Sequence, residues 1–187
     1  MIILVSDTSI LIDLERGGLL EAAFSCGLTM VVPDLLYERE LEPENGPFLR
    51  KLGLGVVALT SEEVAFAQQL RTERKALSLP DCFALSCATR ADHALVTGDR
   101  ILRSEATARR RTVYGLLWIL DQMVASGGIS MAALHEGLTR ISSDRRCRLP
   151  HAEVRMRLDA WANPEPRRQT MLIQGDLRER IPICQVA

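Results

Sequence analysis

The feature that most constrains this chain is a series of apolar runs too short to be helices, each separated from the next by a helical stretch. Ile2–Val5, Thr29–Val32 (closed by Pro33), Val56–Leu59, Ala94–Thr97 and Thr112–Tyr114 are the five runs. They are continuously apolar rather than alternating, as strands buried on both faces are in a parallel sheet. The intervening segments read as helices. Ile10–Glu15 leads through Gly17-Gly18 to Leu19–Phe24, and Pro33 suits the first turn of a helix reaching about Glu42. Ser61 is placed to cap a helix carrying Val64, Ala65 and Leu70, and Pro80 opens one through Phe83, Ala84, Ala88 and Ala91. Strand alternating with helix predicts an α/β fold built on a parallel sheet.

After Tyr114 the alternation stops. Gly115–Ala125 is a strongly apolar helix ended by Gly127-Gly128. Ser130 caps a second, with Met131, Leu134, Leu138 and Ile141 at near-helical spacing. Asp144–Arg148 is a charged loop, and Pro150 starts a third helix with Val154, Leu158 and Trp161, broken by Asn163-Pro164. The chain therefore divides into an α/β domain over residues 1–126, a helical extension over 127–162 and an irregular tail over 163–187. Trp118 and Trp161 lie on apolar faces and are expected in the core rather than as base-stacking platforms.

Composition narrows the function classes. With 187 residues, 47% apolar and 25% charged, the chain can build a core, which excludes wholesale disorder. It has no apolar run of the roughly 18–20 residues a membrane span needs. The N-terminus lacks a basic segment and meets Asp7 at once, unlike a signal peptide. The five cysteines form no CxxC pair and are odd in number, which predicts reduced thiols and a cytoplasmic setting. Three isolated histidines argue against a histidine metal centre. Charge is uneven: residues 1–100 hold 15 acids and 9 bases, residues 101–187 hold 9 acids and 14 bases. All but two of the 23 bases are arginine, which reflects either base composition of the gene or phosphate binding by guanidinium forks.

The chemistry lies in where the carboxylates fall. Asp7 follows the first run by two residues, and Asp99 stands two beyond Thr97, the last residue of the Ala94–Thr97 run. In parallel α/β sheets, sites form at the carboxyl ends of strands where strand order reverses. Asp81 sits in the first turn of the Pro80 helix, and Glu38 and Glu40 lie on the Pro33 helix. Carboxylates gathered in one crevice repel one another unless a cation joins them. Oxygen-only ligands select a hard ion, Mg²⁺ or Mn²⁺. Glu40 is favoured over Glu38, because Leu36, Tyr37 and Leu41 put it at the edge of the apolar face, while Glu38 has Asp34 and Arg39 around it. Thr8, Ser9 and Thr97 are either turn and cap residues or hydrogen-bond partners of these acids. Asp13 reads as structural. Arg100, beside Asp99, is a candidate phosphate contact; Arg103 reads more readily as surface charge, and Arg109-Arg110-Arg111 at least equally so.

Four segments together resemble the PIN-domain ribonucleases, and among them the VapC-like toxins of toxin–antitoxin pairs. Val5-Ser6-Asp7-Thr8-Ser9 is similar to the family's opening strand and acid, and Val31-Val32-Pro33 through Glu40-Leu41 to its second strand and acidic helix. Leu79-Pro80-Asp81-Cys82-Phe83-Ala84 is similar to its Asp-bearing helix, and Leu95-Val96-Thr97-Gly98-Asp99 to its closing T-x-D segment. Order and spacing match across about residues 2–125. The resemblance implies a three-layer α/β/α fold with a five-stranded parallel sheet and a divalent metal held by Asp7, Glu40, Asp81 and Asp99.

The expectation is a Mg²⁺- or Mn²⁺-dependent endoribonuclease that cuts RNA with a metal-activated water. The alternative is a PIN-like module that binds RNA or protein without cutting. A haloacid-dehalogenase-type phosphatase would want an Asp where Ser9 stands, and a dinucleotide-binding module would want glycines after the first strand. A toxin implies a small antitoxin partner. The apolar helices of Gly115–Ala162 would serve that contact, a homodimer, or the cover of the sheet.

Overall fold

The computed structural model describes residues 2–145 and 147–162. The five apolar runs form five parallel strands: β1 (Ile3–Ser6), β2 (Thr29–Pro33), β3 (Gly55–Val57), β4 (His93–Val96) and β5 (Val113–Tyr114). Their order is β3-β2-β1-β4-β5. Register is fixed by neighbours such as Val5 beside Val31 and Ser6 beside Val96. The chain steps from β1 to β2 to β3 in one direction, then returns to lay β4 on the other side of β1. Right-handed crossovers then put helices on both faces. The reversal lies between β1 and β4, so the crevice beyond their carboxyl ends is the natural site.

Helices α1 (Thr8–Arg16) and α2 (Leu20–Ser25) join β1 to β2. α3 (Asp34–Leu36), a π-turn (Tyr37–Leu41) and α4 (Gly46–Leu52) join β2 to β3. α5 (Ser61–Glu73) and α6 (Leu79–Cys87) lead to β4, and α7 (Arg100–Ala108) to β5. α8 (Leu116–Ser126), α9 (Met131–Ser143) and α10 (His151–Ala162) follow. α6 is buried without a break from Cys82 to Cys87; it packs on β1, β2 and β4 and touches α3, α5 and α7. α1 packs with α2, α8 and α9. The result is the three-layer α/β/α architecture that the resemblance implies.

Several boundaries differ from the sequence expectation. The Pro33 helix is a single α turn followed by a π-turn, in which Glu42 N–H reaches Tyr37 O at 2.8 Å. α5 is capped by Thr60, not Ser61: the Thr60 hydroxyl accepts from Glu63 N–H while the Glu63 carboxylate accepts from Thr60 N–H. Ser78 caps α6 in the same way with Asp81. α4 has no counterpart in the apolar pattern; Pro47 sits in its first turn, where its missing N–H costs no hydrogen bond.

α8, α9 and α10 add to the same core that covers the sheet. Leu116, Leu117, Ile119, Leu120 and Met123 of α8 are buried, as are Leu134, Leu138 and Ile141 of α9 and Val154 and Trp161 of α10. Trp118 is half-buried and stacks on Tyr114 with ring centroids 3.9 Å apart. Arg157 of α10 clamps Asp121 of α8 through two hydrogen bonds of 2.9 and 2.6 Å. α9 approaches the turn between α1 and α2 closely, for a Cβ on Gly137 would stand 2.6 Å from Leu19. Each such buried leucine contributes about 1.5–3 kcal/mol of transfer free energy.

Among the described residues no helix is long and apolar enough to cross a membrane. Cys26, Cys82, Cys87 and Cys147 are free thiols, and burial pushes Cys82 and Cys87 up to about 11. The tail over 163–187, with the Asn163-Pro164 break and Cys184, lies outside the described residues.

Candidate active site

β1 delivers Asp7. Its backbone N–H donates to Val96 O at 2.9 Å, which fixes Asp7 against the end of β4. The residue is only 9% exposed. Two hydroxyls converge on one carboxylate oxygen: Ser9 Oγ donates to Oδ2 at 2.8 Å and Thr97 Oγ1 at 2.9 Å. Burial pushes the Asp7 carboxyl above its ordinary value; the Ser9 and Thr97 hydroxyls pull it back, and the charge of Asp81 pushes it up again. Thr97, itself fully buried, also accepts from Asp99 N–H at 2.9 Å. One hydroxyl thus ties both strand-end acids together.

Asp99 and Asp81 each spend one oxygen on a helix start. Asp99 Oδ1 accepts from Ile101 N–H and Leu102 N–H, both at 2.8 Å, while its Oδ2 lies 4.0 Å from the Arg148 guanidinium. Asp81 Oδ2 accepts from Ser78 N–H at 2.8 Å. Capping is therefore real at both positions, and it orients each carboxylate by fixing one of its oxygens.

Asp7, Asp81 and Asp99 line one open cavity of about 590 Å³, with Ser9 and Gly98 beside them. Glu40 does not line it. Its carboxylate instead accepts from Thr8 Oγ1 at 2.5 Å, so it reaches the site through the residue after Asp7. Glu38 is exposed, as its polar surroundings predict. Asp13 is structural in the sense expected, pairing with Arg16 at 2.9 Å, yet it also lines the cavity. Burial raises its carboxyl, against Arg16 and together with Asp144.

The arginines divide differently from their sequence reading. Arg100 is exposed and does not line the cavity. Arg103 spends its guanidinium on Thr97 O and Tyr114 O at 2.9 and 2.8 Å, joining the ends of β4 and β5. Any side chain at Gly115 would meet that guanidinium at 2.8 Å. Arg109 is engaged with Glu105 and Glu73 and lies over the Phe66 ring. The arginines that line the cavity among the described residues are Arg16 of α1 and, brought over it by the loop after α9, Arg145 and Arg148. Sequence reading placed the latter two in an undifferentiated charged loop; their only local signal was the density of bases there.

The donor set is carboxylate oxygen alone, in an open cavity, which fits a hard divalent ion. No three His, Cys, Asp or Glu side chains among the described residues close into a tight cage. Mg²⁺ does not need one: it typically binds through one or two carboxylates and keeps several waters.

Three acids thus meet at the switch point of a parallel α/β sheet. A family model described as a PIN domain matches residues 3–162, and the chain belongs to that family. PIN domains are usually nucleases. No curated protein and no solved structure matches the chain.

Proposed function

We propose that the protein is a Mg²⁺- or Mn²⁺-dependent endoribonuclease. The observation that carries the reading is the convergence of Asp7, Asp81 and Asp99 on one cavity at the β1–β4 switch point of a PIN domain. Asp7, Asp81 and Asp99 would hold the ion, which when bound supplies an activated water and offsets charge on the leaving oxygen. The protein's own contribution is placement. Ser9 and Thr97 lock the rotamer of Asp7, the helix caps lock Asp81 and Asp99, and Glu40 holds Thr8 at the mouth of α1. The open cavity suits single-stranded or looped RNA, whose backbone is accessible.

The test is cleavage of a mixed-sequence single-stranded RNA by purified protein with Mn²⁺, with EDTA, and with Asp7→Asn. Cutting that needs both the ion and Asp7 is expected; cutting by Asp7→Asn at the wild-type rate moves the site elsewhere. We read the biological role as the toxin of a toxin–antitoxin pair, on the four-segment resemblance to VapC-like proteins. Expression of the wild type is then expected to arrest growth, and Asp7→Asn to relieve the arrest. Arrest that persists with Asp7→Asn removes the toxin reading.

A further inference from the structure

We propose that Arg145 and Arg148, on the loop between α9 and α10, form a phosphate-binding lip that seats the RNA backbone over Asp7, Asp81 and Asp99. The inference rests on the ribonuclease reading and assigns the helical extension a part in substrate binding.

Among the described residues three basic side chains line the cavity: Arg16, Arg145 and Arg148. Arg16 is already committed, because its guanidinium bridges Asp13 at 2.9 Å and Asp144 at 3.1 Å. That bridge pins the start of the loop to α1, and the Cys147 N–H to Asp144 O bond at 2.9 Å turns the chain back over the cavity. Arg145 makes no ion pair among the described residues. Arg148 stands 4.0 Å from Asp99 Oδ2 with its side chain 79% exposed. An ion pair that long and that wet contributes little to folding, so stability does not account for its position.

The cavity thus has carboxylates on one side and two uncommitted guanidiniums on the other. A phosphodiester bridging a divalent ion and an arginine satisfies both sides at once. The planar guanidinium fork matches two phosphate oxygens and stays charged at any working pH. Ile12 and Leu149 add apolar wall beside the arginines, where a ribose or base would lie. No aromatic side chain lines the cavity, so binding is expected to follow backbone charge rather than base stacking.

The experiment measures fluorescence anisotropy of a labelled single-stranded RNA of mixed sequence, bound to full-length Asp7→Asn protein in Mg²⁺ across a salt series. For single strands the slope of log K on log salt falls by about 0.7 for each phosphate contact removed. Arg148→Ala and Arg145→Ala should each lower the slope by about that amount and the double variant by about twice it, while Arg148→Lys largely retains it. Arg155→Ala, an exposed arginine on α10 outside the cavity, should leave the slope unchanged. Melting temperatures confirm that the variants fold. In the Asp7 background, cleavage by the double variant should lose kcat/KM. RNA that binds the double variant with an unchanged slope overturns the lip and leaves the ribonuclease reading standing. An equal loss of slope in Arg155→Ala also overturns it, as would faster cutting by the double variant, because the arginines would then be general charge or an obstruction. Absence of both RNA binding and RNA cleavage in the Asp7 protein removes the ribonuclease reading and the lip with it.

Discussion

Replacing Thr97 by valine tests the geometry of the site without touching an acid. The side chain is fully buried, and valine has nearly its shape, so no cavity opens. What disappears is the hydroxyl, with its donation to Asp7 Oδ2 at 2.9 Å and its acceptance from Asp99 N–H at 2.9 Å. A hydrogen bond to an ionised group contributes about 1.5–3 kcal/mol, and a donor left unpaired costs about 1–3 kcal/mol. Ser9 still serves Asp7, so the lower part of each range applies and the expected loss is about 3 kcal/mol. A domain with about 5–15 kcal/mol of stability survives that. Urea unfolding at neutral pH without divalent ions reads the loss as a lower midpoint at unchanged slope. Thr97→Ser, which keeps the hydroxyl, should recover most of it. A double-mutant cycle with Asp7→Asn should show coupling, since one variant removes the hydroxyl and the other the charge of the same hydrogen bond. A cost below about 0.5 kcal/mol, the scale of ordinary surface substitutions, would refute the bridging role of Thr97. Strict additivity with Asp7→Asn would refute the Thr97–Asp7 bond alone.

Three further outcomes follow from contacts elsewhere. Glu40→Gln should reduce cleavage more than Glu38→Gln, because only Glu40 holds Thr8; rates at saturating Mn²⁺ decide the order, and the reverse order would assign the role to Glu38. Gly137→Ala should destabilise by about 1–2 kcal/mol, overpacking against Leu19 outweighing the helical gain; a stabilised variant in thermal melts would mean α9 yields freely. The Arg90 guanidinium, donating to Glu63 at 2.7 Å through both Nε and Nη2, holds the Glu63 carboxyl below its usual value, so the pair stabilises at neutral pH and that stability is lost as pH falls through the lowered value. Glu63→Gln should therefore cost about 1–2 kcal/mol at pH 7 and progressively less on acidification below the ordinary carboxyl range, with a pH-independent cost excluding the ion pair as the cause.

How much of this was legible in the sequence depends on how local the cause is. β1 and β4 lie within a residue of the apolar runs Ile2–Val5 and Ala94–Thr97, because burial on both faces writes itself as uninterrupted apolar sequence. Asp7, Asp81 and Asp99 were readable for a related reason: each follows a strand end or opens a helix, and topology carries those points to one edge. α4 was missed because Gly46-Pro47 reads as a break, whereas proline in a first turn is a start. The π-turn was missed too, since its wider winding leaves no periodic signature in five residues. Yet Glu40 was still favoured over Glu38, because Leu36, Tyr37 and Leu41 are buried and mark the inward side whichever way the turn is wound.

Long-range partners are the part no local pattern encodes. Arg103 and Arg148 are both arginines near a helix end or loop, and nothing in their neighbours separates them. The difference is made by what the fold brings up. Tyr114 O and Thr97 O arrive at Arg103 and absorb its charge, while among the described residues the one ion pair of Arg148 is with Asp99, at 4.0 Å and in water. That contrast makes the placement of α9 decisive. Its seat depends on Gly137 admitting Leu19, and its loop on Arg16 gripping Asp144. A helical extension that looks separable along the sequence is thereby fastened to α1, the helix that begins at Asp7. Any shift of α9 along α1 would move Arg145 and Arg148 relative to Asp99, so the packing of Gly137 against Leu19 sets where these guanidiniums stand over the acids.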